Sequence, residues 1–176
     1  MLVAVEAAKY AVVDTLRDGR RFQIRALRPN DRNGFLAAVG RSSAQSLYRR
    51  FFSPIRSFTE EQITRFVNVD FVSHVALVAA LEEEGGPVIV GGGRYIVVQP
   101  GQAEVAFVVV DQYQALGVGA ALMRHLAVIA RDAGLKELIA EVLADNSSML
   151  KVFQKSGLHL STSREDGVVH VVLQLV

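Results

Sequence analysis

The sequence contains no cysteine and no tryptophan, and its formal net charge of +1 shows no excess of either sign. The missing cysteine excludes disulfides, thiolate metal ligands and a cysteine nucleophile. A near-neutral chain also lacks the basic excess that is typical of nucleic-acid partners. The four histidines, His74, His125, His159 and His170, lie far apart and show no metal-ligand spacing. We therefore expect a domain with neither a metal site nor a nucleic-acid partner.

Long hydrophobic runs are missing as well. No stretch of about 18 uninterrupted apolar residues predicts a membrane span. The apolar start of the chain includes Glu6 and Lys9, and it lacks the basic beginning and long apolar run of a signal peptide. What is present is an ordinary globular composition, with 51% hydrophobic and 21% charged residues in a chain of 176. We expect one cytoplasmic domain over residues 1–176, with residues 1–21 as an N-terminal strand extension.

The hydrophobic pattern changes its period along the chain. Period-two runs predict two opening strands joined at Asp18-Gly19, then an antiparallel meander of three strands at residues 74–81, 88–98 and 103–110. Helical spacing follows at residues 118–133 and 146–156, separated by a strand at 137–143 and followed by a hairpin around Asp166-Gly167. Helices are also expected after Pro29 and after Thr59, whose spacing to Gln62 forms a capping box. This order predicts a mixed α/β fold with a largely antiparallel sheet.

Two glycines, Gly117 and Gly119, stand between the strand at 103–110 and the helix at 118–133. Free N–H groups and the dipole at a helix N-terminus favour an anion, and glycine lets a phosphate approach the backbone closely. A P-loop is excluded because no Gly-Lys-Ser/Thr is present, and Leu122 stands where a Rossmann fingerprint needs its third glycine. The two glycines therefore predict either another kind of phosphate site or only a tight turn.

The segment Gln114-Ala115-Leu116-Gly117-Val118-Gly119 resembles the pyrophosphate motif Gln/Arg-x-x-Gly-x-Gly/Ala of the GNAT N-acetyltransferases. A second landmark of that family, an Asn-led helix that ends in glycine and an apolar residue, is matched by Asn146 and by Gly157-Leu158. The likeness covers about residues 22–176. It implies the GNAT fold, with about seven strands and about four helices. It also implies acetyl-CoA as co-substrate, a primary amine as acceptor, and no metal.

A closer resemblance is to the Pat-like bacterial protein lysine acetyltransferases, which modify acyl-CoA synthetases. The segments at residues 24–31, 46–52, 74–79 and 103–107 carry it. It implies a protein lysine as acceptor, although a small-molecule amine needs the same chemistry. An acyl-CoA-binding sensor without catalysis is the other hypothesis. The apolar ends, residues 1–13 and 168–176, are either edge strands that pair subunits into a homodimer or parts of one monomer.

The resemblance also names the residues that would hold acetyl-CoA. The strand before the glycine loop would offer a backbone N–H to the acetyl carbonyl, at a splay between two strands. Phe153 stands where many members carry a tyrosine that protonates the leaving thiolate. No tyrosine acid is therefore expected there. The expected acetyl-CoA contacts are Val108, Val109, Val110, Gln114, Ala115, Leu116, Gly117, Val118, Gly119, Ala120, Asn146 and Phe153.

Glu104 is the candidate catalytic base. It is the one charged residue in an otherwise apolar strand, and period-two alternation places it on the same face as Val108 and Val110. A lysine amine has an ordinary pKa of about 10.4, so a base must remove its proton, and the Pat-like resemblance implies this glutamate. We expect partial burial to raise its pKa. The alternative is a solvent-facing glutamate beside the turn at Pro100-Gly101.

Overall fold

The computed structural model describes residues 4–52, 55 and 57–176. In these ranges eight strands form one sheet in the order β1-β2-β3-β4-β5-β6-β8-β7, and every pairing is antiparallel except that of β5 with β6. The predicted mixed α/β fold with a mostly antiparallel sheet is confirmed. The strands are β1 Ala11–Thr15, β2 Arg21–Ala26, β3 His74–Glu83, β4 Gly86–Gln99, β5 Gln102–Val109, β6 Glu137–Leu143, β7 His159–Glu165 and β8 Val168–Gln174.

The α-helices of the described ranges are α1 Ala4–Ala7, α2 Arg32–Gly40, α3 Ala44–Phe51, α4 Glu60–Val67, α5 Val118–Asp132 and α6 Ser147–Gln154. The capping box predicted between Thr59 and Gln62 is formed at the start of α4. Helix α3 was not predicted from the sequence. Its only fully buried residue is Leu47, so the apolar pattern is too short to reveal it, and the Ser43 side chain supplies its N-cap.

The two apolar chain ends take different positions: β1, in the first of them, is an edge strand of the sheet, and β8, in the second, is not. Ala4–Ala7 form a helix, and residues 1–3 lie outside the described residues. The strand that follows, β1, pairs with β2 of the same chain. Near the C-terminus β8 is an internal strand, because it pairs with β6 on one side and β7 on the other. The apolar run of β8 is therefore explained by pairing within one chain.

The two faces of the sheet are covered by different helices. On one side, which we call the α5 face, alternate residues of β5 such as Val105 and Phe107 pack with α5 in the main hydrophobic core. On the other side, the α3 face, Ala76 and Val78 of β3 pack with a smaller cluster that includes Val67 of α4. The side chains of Glu104, Ala106 and Val108 share this second face by alternation.

A gap opens in the middle of the sheet. The parallel pairing of β5 with β6 joins only Gln102–Glu104 to Glu137–Ile139. Beyond these residues β5 continues beside β4 as far as Val109, while β6 continues beside β8 as far as Leu143. The two strands therefore separate, and residues 105–109 of β5 turn one backbone edge toward the gap.

Candidate active site

A cavity of about 710 Å³ fills this gap and reaches the N-terminus of α5. It is lined from both sides of the sheet, with Phe107 and Phe153 from the α5 face and Glu104 and Arg50 from the α3 face. Its size is in the range of small-molecule sites. The gap therefore joins a helix N-terminus to the candidate base.

The glycine turn at the start of α5 faces this cavity. Gly117 is the N-cap with φ +97°, a conformation that favours glycine. A methyl group at Gly117 would meet nothing closer than Arg17 Cγ at 3.9 Å, so the space in front of the turn is open. A methyl at Gly119 would touch Val152 Cγ2 at an ordinary 3.5 Å. The first-turn N–H groups have no partners inside the helix, and the dipole makes this open end positive.

Gln114 and Asp111 hold the loop that precedes α5. The Gln114 amide donates to the Val109 carbonyl at 3.0 Å and to Ser46 Oγ at 3.2 Å. The Asp111 carboxylate accepts from the Ser43 N–H at 2.7 Å and from Ser43 Oγ at 2.9 Å. Burial acts to raise the pKa of Asp111, but the hydrogen bonds from Ser43 and Ser46 outweigh it, so the pKa lies below its ordinary value. The loop is therefore fixed to β5 and to the start of α3.

Cations outnumber carboxylates around the cavity. Arg17 reaches it from the β1–β2 hairpin and donates to the Ala115 carbonyl at 3.3 Å. Arg49 lies against Asp145, with Nη2 3.3 Å from the backbone carbonyl and Nε 3.7 Å from the carboxylate. These cations were not assigned to the site from the sequence, although Arg17 belongs to an arginine cluster near the start of the chain and Arg49-Arg50 form a pair. The charged lining residues are the cations Arg17, Arg49, Arg50, Lys151 and Lys155 and the carboxylates Glu104 and Glu141.

The alternation of hydrogen-bonded and non-bonded pairs between β4 and β5 decides which N–H groups of β5 point into the gap. The Val110 N–H donates to the Val90 carbonyl at 2.9 Å, and the register with β4 is regular from Val109 back to Ala103. Because bonded and non-bonded pairs alternate in an antiparallel ladder, the N–H of Val108 also points to β4. Those of Phe107 and Val109 point into the gap. Among the three predicted backbone positions, only Val109 turns its N–H to the cavity, and Phe107 joins it.

Glu104 lies where β5 and β6 begin to separate, and its side chain lines the cavity. The expected partial burial is wrong, because Glu104 is exposed. Farther along the same face Ala106 and Val108 are half-buried, whereas this end of β5 is open to solvent. Arg50 is its charged neighbour: burial lowers the pKa of Arg50 to about 10, and the negative charge of Glu104 opposes that shift.

Asn146 and Phe153 have structural contacts as well as cavity positions. The Asn146 side-chain oxygen accepts from the Met149 N–H at 3.3 Å and so caps α6. Phe153 is only 1% exposed and packs edge-on against Phe107, with ring centroids 6.1 Å apart. Tyr113, in the loop before the glycines, is buried, and its hydroxyl donates to Glu83. All three side chains line the cavity.

Two of the histidines make contacts away from this cavity. His125 lies 2.6 Å from the Tyr10 hydroxyl and 3.3 Å from Asp14, and His74 lies 3.0 Å from an Arg94 nitrogen. No three side chains of the types that bind metals gather anywhere in residues 4–52, 55 and 57–176. In the same ranges no helix has the length and apolarity needed to cross a membrane.

A glycine turn that opens an amphipathic helix beside two separating strands is the arrangement that the sequence resemblance implied. The family model described as the acetyltransferase (GNAT) family matches residues 42–158. The chain belongs to the GNAT acetyltransferase family. It is accordingly an acetyl-CoA-dependent N-acetyltransferase.

Individual relatives refine this assignment. An acetyltransferase of Pseudomonas aeruginosa is 34% identical over 138 residues, covering 78% of this chain and 74% of the relative. Acetyltransferase Pat of Mycolicibacterium smegmatis is 36% identical over 146 residues, covering 81% of this chain but only 42% of its own length. The crystal structure of the GNAT domain of S. lividans PAT superposes with a TM-score of 0.84 at 34% identity, over 93% of this chain and 96% of that one. These matches place the GNAT chain in the Pat-like branch.

Proposed function

We propose that residues 1–176 act as one domain that acetylates the side-chain amine of a protein lysine at the gap between β5 and β6. The observation that carries this proposal is the continuous cavity from the cationic glycine turn to Glu104. The lysine acceptor, on an acyl-CoA synthetase, comes from the Pat-like resemblance. A small-molecule amine would use the same chemistry, so the acceptor class is the first thing to test.

The glycine turn would hold the pyrophosphate of acetyl-CoA. The backbone from Gly117 to Ala120 offers first-turn N–H groups, and Arg17 supplies positive charge from across the cavity. Gln114, Ala115, Leu116 and Val118 shape this turn, and Gln114 ties it to β5. An anion at this place gains from the helix dipole, from nearby cations and from hydrogen bonds at the same time.

The gap edge of β5 would hold the pantetheine arm and the thioester. An extended arm can pair with the free edge of a strand through main-chain hydrogen bonds. The N–H groups of Phe107 and Val109 are the donors on that edge, and Asn146 lines the opposite side of the cavity. A donor aimed at the acetyl oxygen stabilises the negative charge that develops there during attack by the amine.

Glu104 would accept the proton that the amine loses, directly or through a water molecule. Its exposed carboxylate lies on the α3 face, where an acceptor from solvent can reach the gap. Phe153 has no hydroxyl to protonate the leaving thiolate, so water in the open cavity would supply that proton. Val108 and Val110 would support the strand rather than donate to the thioester, because their N–H groups point to β4.

The experiment is acetyl transfer measured on an acyl-CoA synthetase, a lysine peptide and a polyamine, for wild type and Glu104→Gln. Loss of a general base predicts a fall in kcat of about 10²- to 10⁴-fold with acetyl-CoA binding retained. Glu165→Gln, an exposed glutamate on β7, is the matched control and should keep full activity. Binding of acetyl-CoA without turnover on any acceptor would contradict the proposal and favour a non-catalytic acyl-CoA sensor.

A further inference from the structure

A second, smaller cavity of about 70 Å³ lies on the α3 face beside the active-site cavity. Both cavities are lined by Arg50, Phe51, Ala106 and Val108, so they meet at the same part of β5 and α3. The side chains of Ala106 and Val108 flank Phe107, whose N–H points into the gap. A group that enters the smaller cavity would therefore lie close to the reacting carbon of a bound thioester.

The walls of this cavity are mostly apolar, but they hold two guanidinium groups, Arg50 and Arg94. Arg94 donates to the Phe66 carbonyl at 3.1 Å and lies 5.1 Å from the centre of the Phe66 ring. Arg50 lies 4.6 Å from the centre of the Phe51 ring. Burial, followed by the like charge of Arg50, lowers the pKa of Arg94 to about 9.

Neither guanidinium has a carboxylate partner within the described ranges. No salt bridge there includes Arg50 or Arg94, and Arg50 makes no hydrogen bond to any described residue. Glu104 affects Arg50 only through its charge. Buried charges in proteins are normally paired, because desolvation without a partner is costly. Arg94 lies over the Phe66 ring and Arg50 over the Phe51 ring, but neither ring supplies the negative charge that would balance two cations in one apolar cavity.

We propose that Arg50 and Arg94 form a subsite for a carboxylate carried by one of the two substrates of the transfer reaction. The inference rests on the proposed function, because it specifies what the same active site accepts. A guanidinium binds a carboxylate through two parallel hydrogen bonds, and the apolar walls strengthen that interaction. The carboxylate belongs either to the acyl group or to the acceptor amine, and separate measurements distinguish these sources.

The acyl arm of the experiment uses calorimetry to compare the binding of succinyl-CoA, whose acyl group ends in a carboxylate, with the binding of butyryl-CoA, whose acyl group is uncharged. A charge-assisted hydrogen bond contributes enough to predict at least about a tenfold preference for succinyl-CoA in wild type. Arg50→Gln should abolish the preference and Arg50→Lys should retain part of it. Arg65→Gln, which removes an exposed cation of α4, is the control and should leave it unchanged.

The acceptor arm compares Nα-acetyl-lysine, which has a free carboxylate, with its neutral amide in the presence of acetyl-CoA. A carboxylate supplied by the acceptor predicts about a tenfold lower KM for the acid than for the amide, and Arg50→Gln should remove that difference. Arg94→Gln tests the second cation if Arg50→Gln does not fold. Calorimetric binding of both lysine compounds keeps this arm decisive even if no acetyl transfer occurs.

A preference for the charged compound in one arm, lost in the neutral variants, supports the subsite and identifies its source. Equal binding of charged and uncharged compounds in both arms would overturn it. Failure of acetyl transfer with a retained preference for the charged compound would reject the proposed function but not the subsite.

Discussion

The two faces of the sheet differ in how closely their side chains are packed. On the α5 face, Leu122 and Leu126 are fully buried, and Gly93 lets the Phe107 ring lie close to β4. On the α3 face, three of four half-buried phenylalanines line a cavity that contains two arginines, and the fourth, in the loop before α4, packs against the other three. Their ring centroids lie 5.3–5.8 Å apart. The four are Phe35, Phe51, Phe58 and Phe66.

The difference assigns separate tasks to the two faces. A close-packed face fixes the direction of α5 and therefore the glycine turn, because a core at native density tolerates little movement. A hollow and partly charged face leaves room for substrate groups. We therefore predict that damage to the α5 face reduces stability most, whereas damage to the α3 face alters substrate use.

Truncation of a core leucine on each face has the largest expected effect. Leu122→Ala should lower the free energy of unfolding by about 3–5 kcal/mol, because a fully buried side chain leaves a void. Leu47→Ala, at the edge of the α3-face cavity, should cost only about 2 kcal/mol because that site is already loosely packed. Urea unfolding of both variants gives the comparison, and equal losses would contradict it.

Neighbouring glycines of β4 provide a sharper test. A methyl at Gly93 would lie 2.6 Å from Phe107 Cδ1, so Gly93→Ala should destabilise by about 1–3 kcal/mol through overpacking. A methyl at Gly92 points to the other face and has its nearest atom, the Leu77 carbonyl oxygen, at an ordinary 3.5 Å. Gly92→Ala should be neutral or slightly stabilising. Similar melting points for the two variants would refute the difference between the faces.

The smallest expected effect is a pH dependence at the α3 face. Burial, followed by the charge of Arg94, lowers the pKa of His74 from an ordinary 6.5 to about 4. The folded chain therefore favours the neutral ring, so its stabilising contribution is complete above pH 6.5 and is lost as the pH falls toward 4. His74→Gln should reduce the pH dependence of the urea unfolding midpoint between these pH values. Substitution of the exposed His159 by glutamine is the control, and an unchanged slope in His74→Gln would show that His74 does not contribute.

Local signals in the sequence predicted most strands, the glycine turn and the position of Glu104. These local signals did not predict the gap. It arises because β5 stays paired with β4 while β6 stays paired with β8, and no local pattern encodes that separation. The contact of Arg17 with the loop at Ala115 joins residues that are 98 positions apart. Likewise, α3 has one fully buried residue, too few for helical periodicity to be visible, so the cavity on its face was not predicted.

The exposure of Glu104 shows why its surroundings were misjudged. The sequence correctly placed it on the same face as Ala106 and Val108. Period-two alternation identifies the face of the sheet, but it does not show how much of that face the helices cover. The direction of each N–H of β5 could be assigned only after one hydrogen bond was observed, from the Val110 N–H to the Val90 carbonyl. Both are properties of tertiary packing.

Thermal melting with and without acetyl-CoA, for wild type, Gly117→Trp and Gly134→Trp, tests the central claim most directly. Both glycines have positive φ, at opposite ends of α5, so the two substitutions impose similar backbone strain. A hundredfold excess of ligand over its dissociation constant should stabilise wild type and Gly134→Trp by about 2.7 kcal/mol. Gly117→Trp should show no rise, because its side chain would fill the space in front of the turn. An equal rise in all three proteins, or none in wild type, would contradict acetyl-CoA binding at this turn.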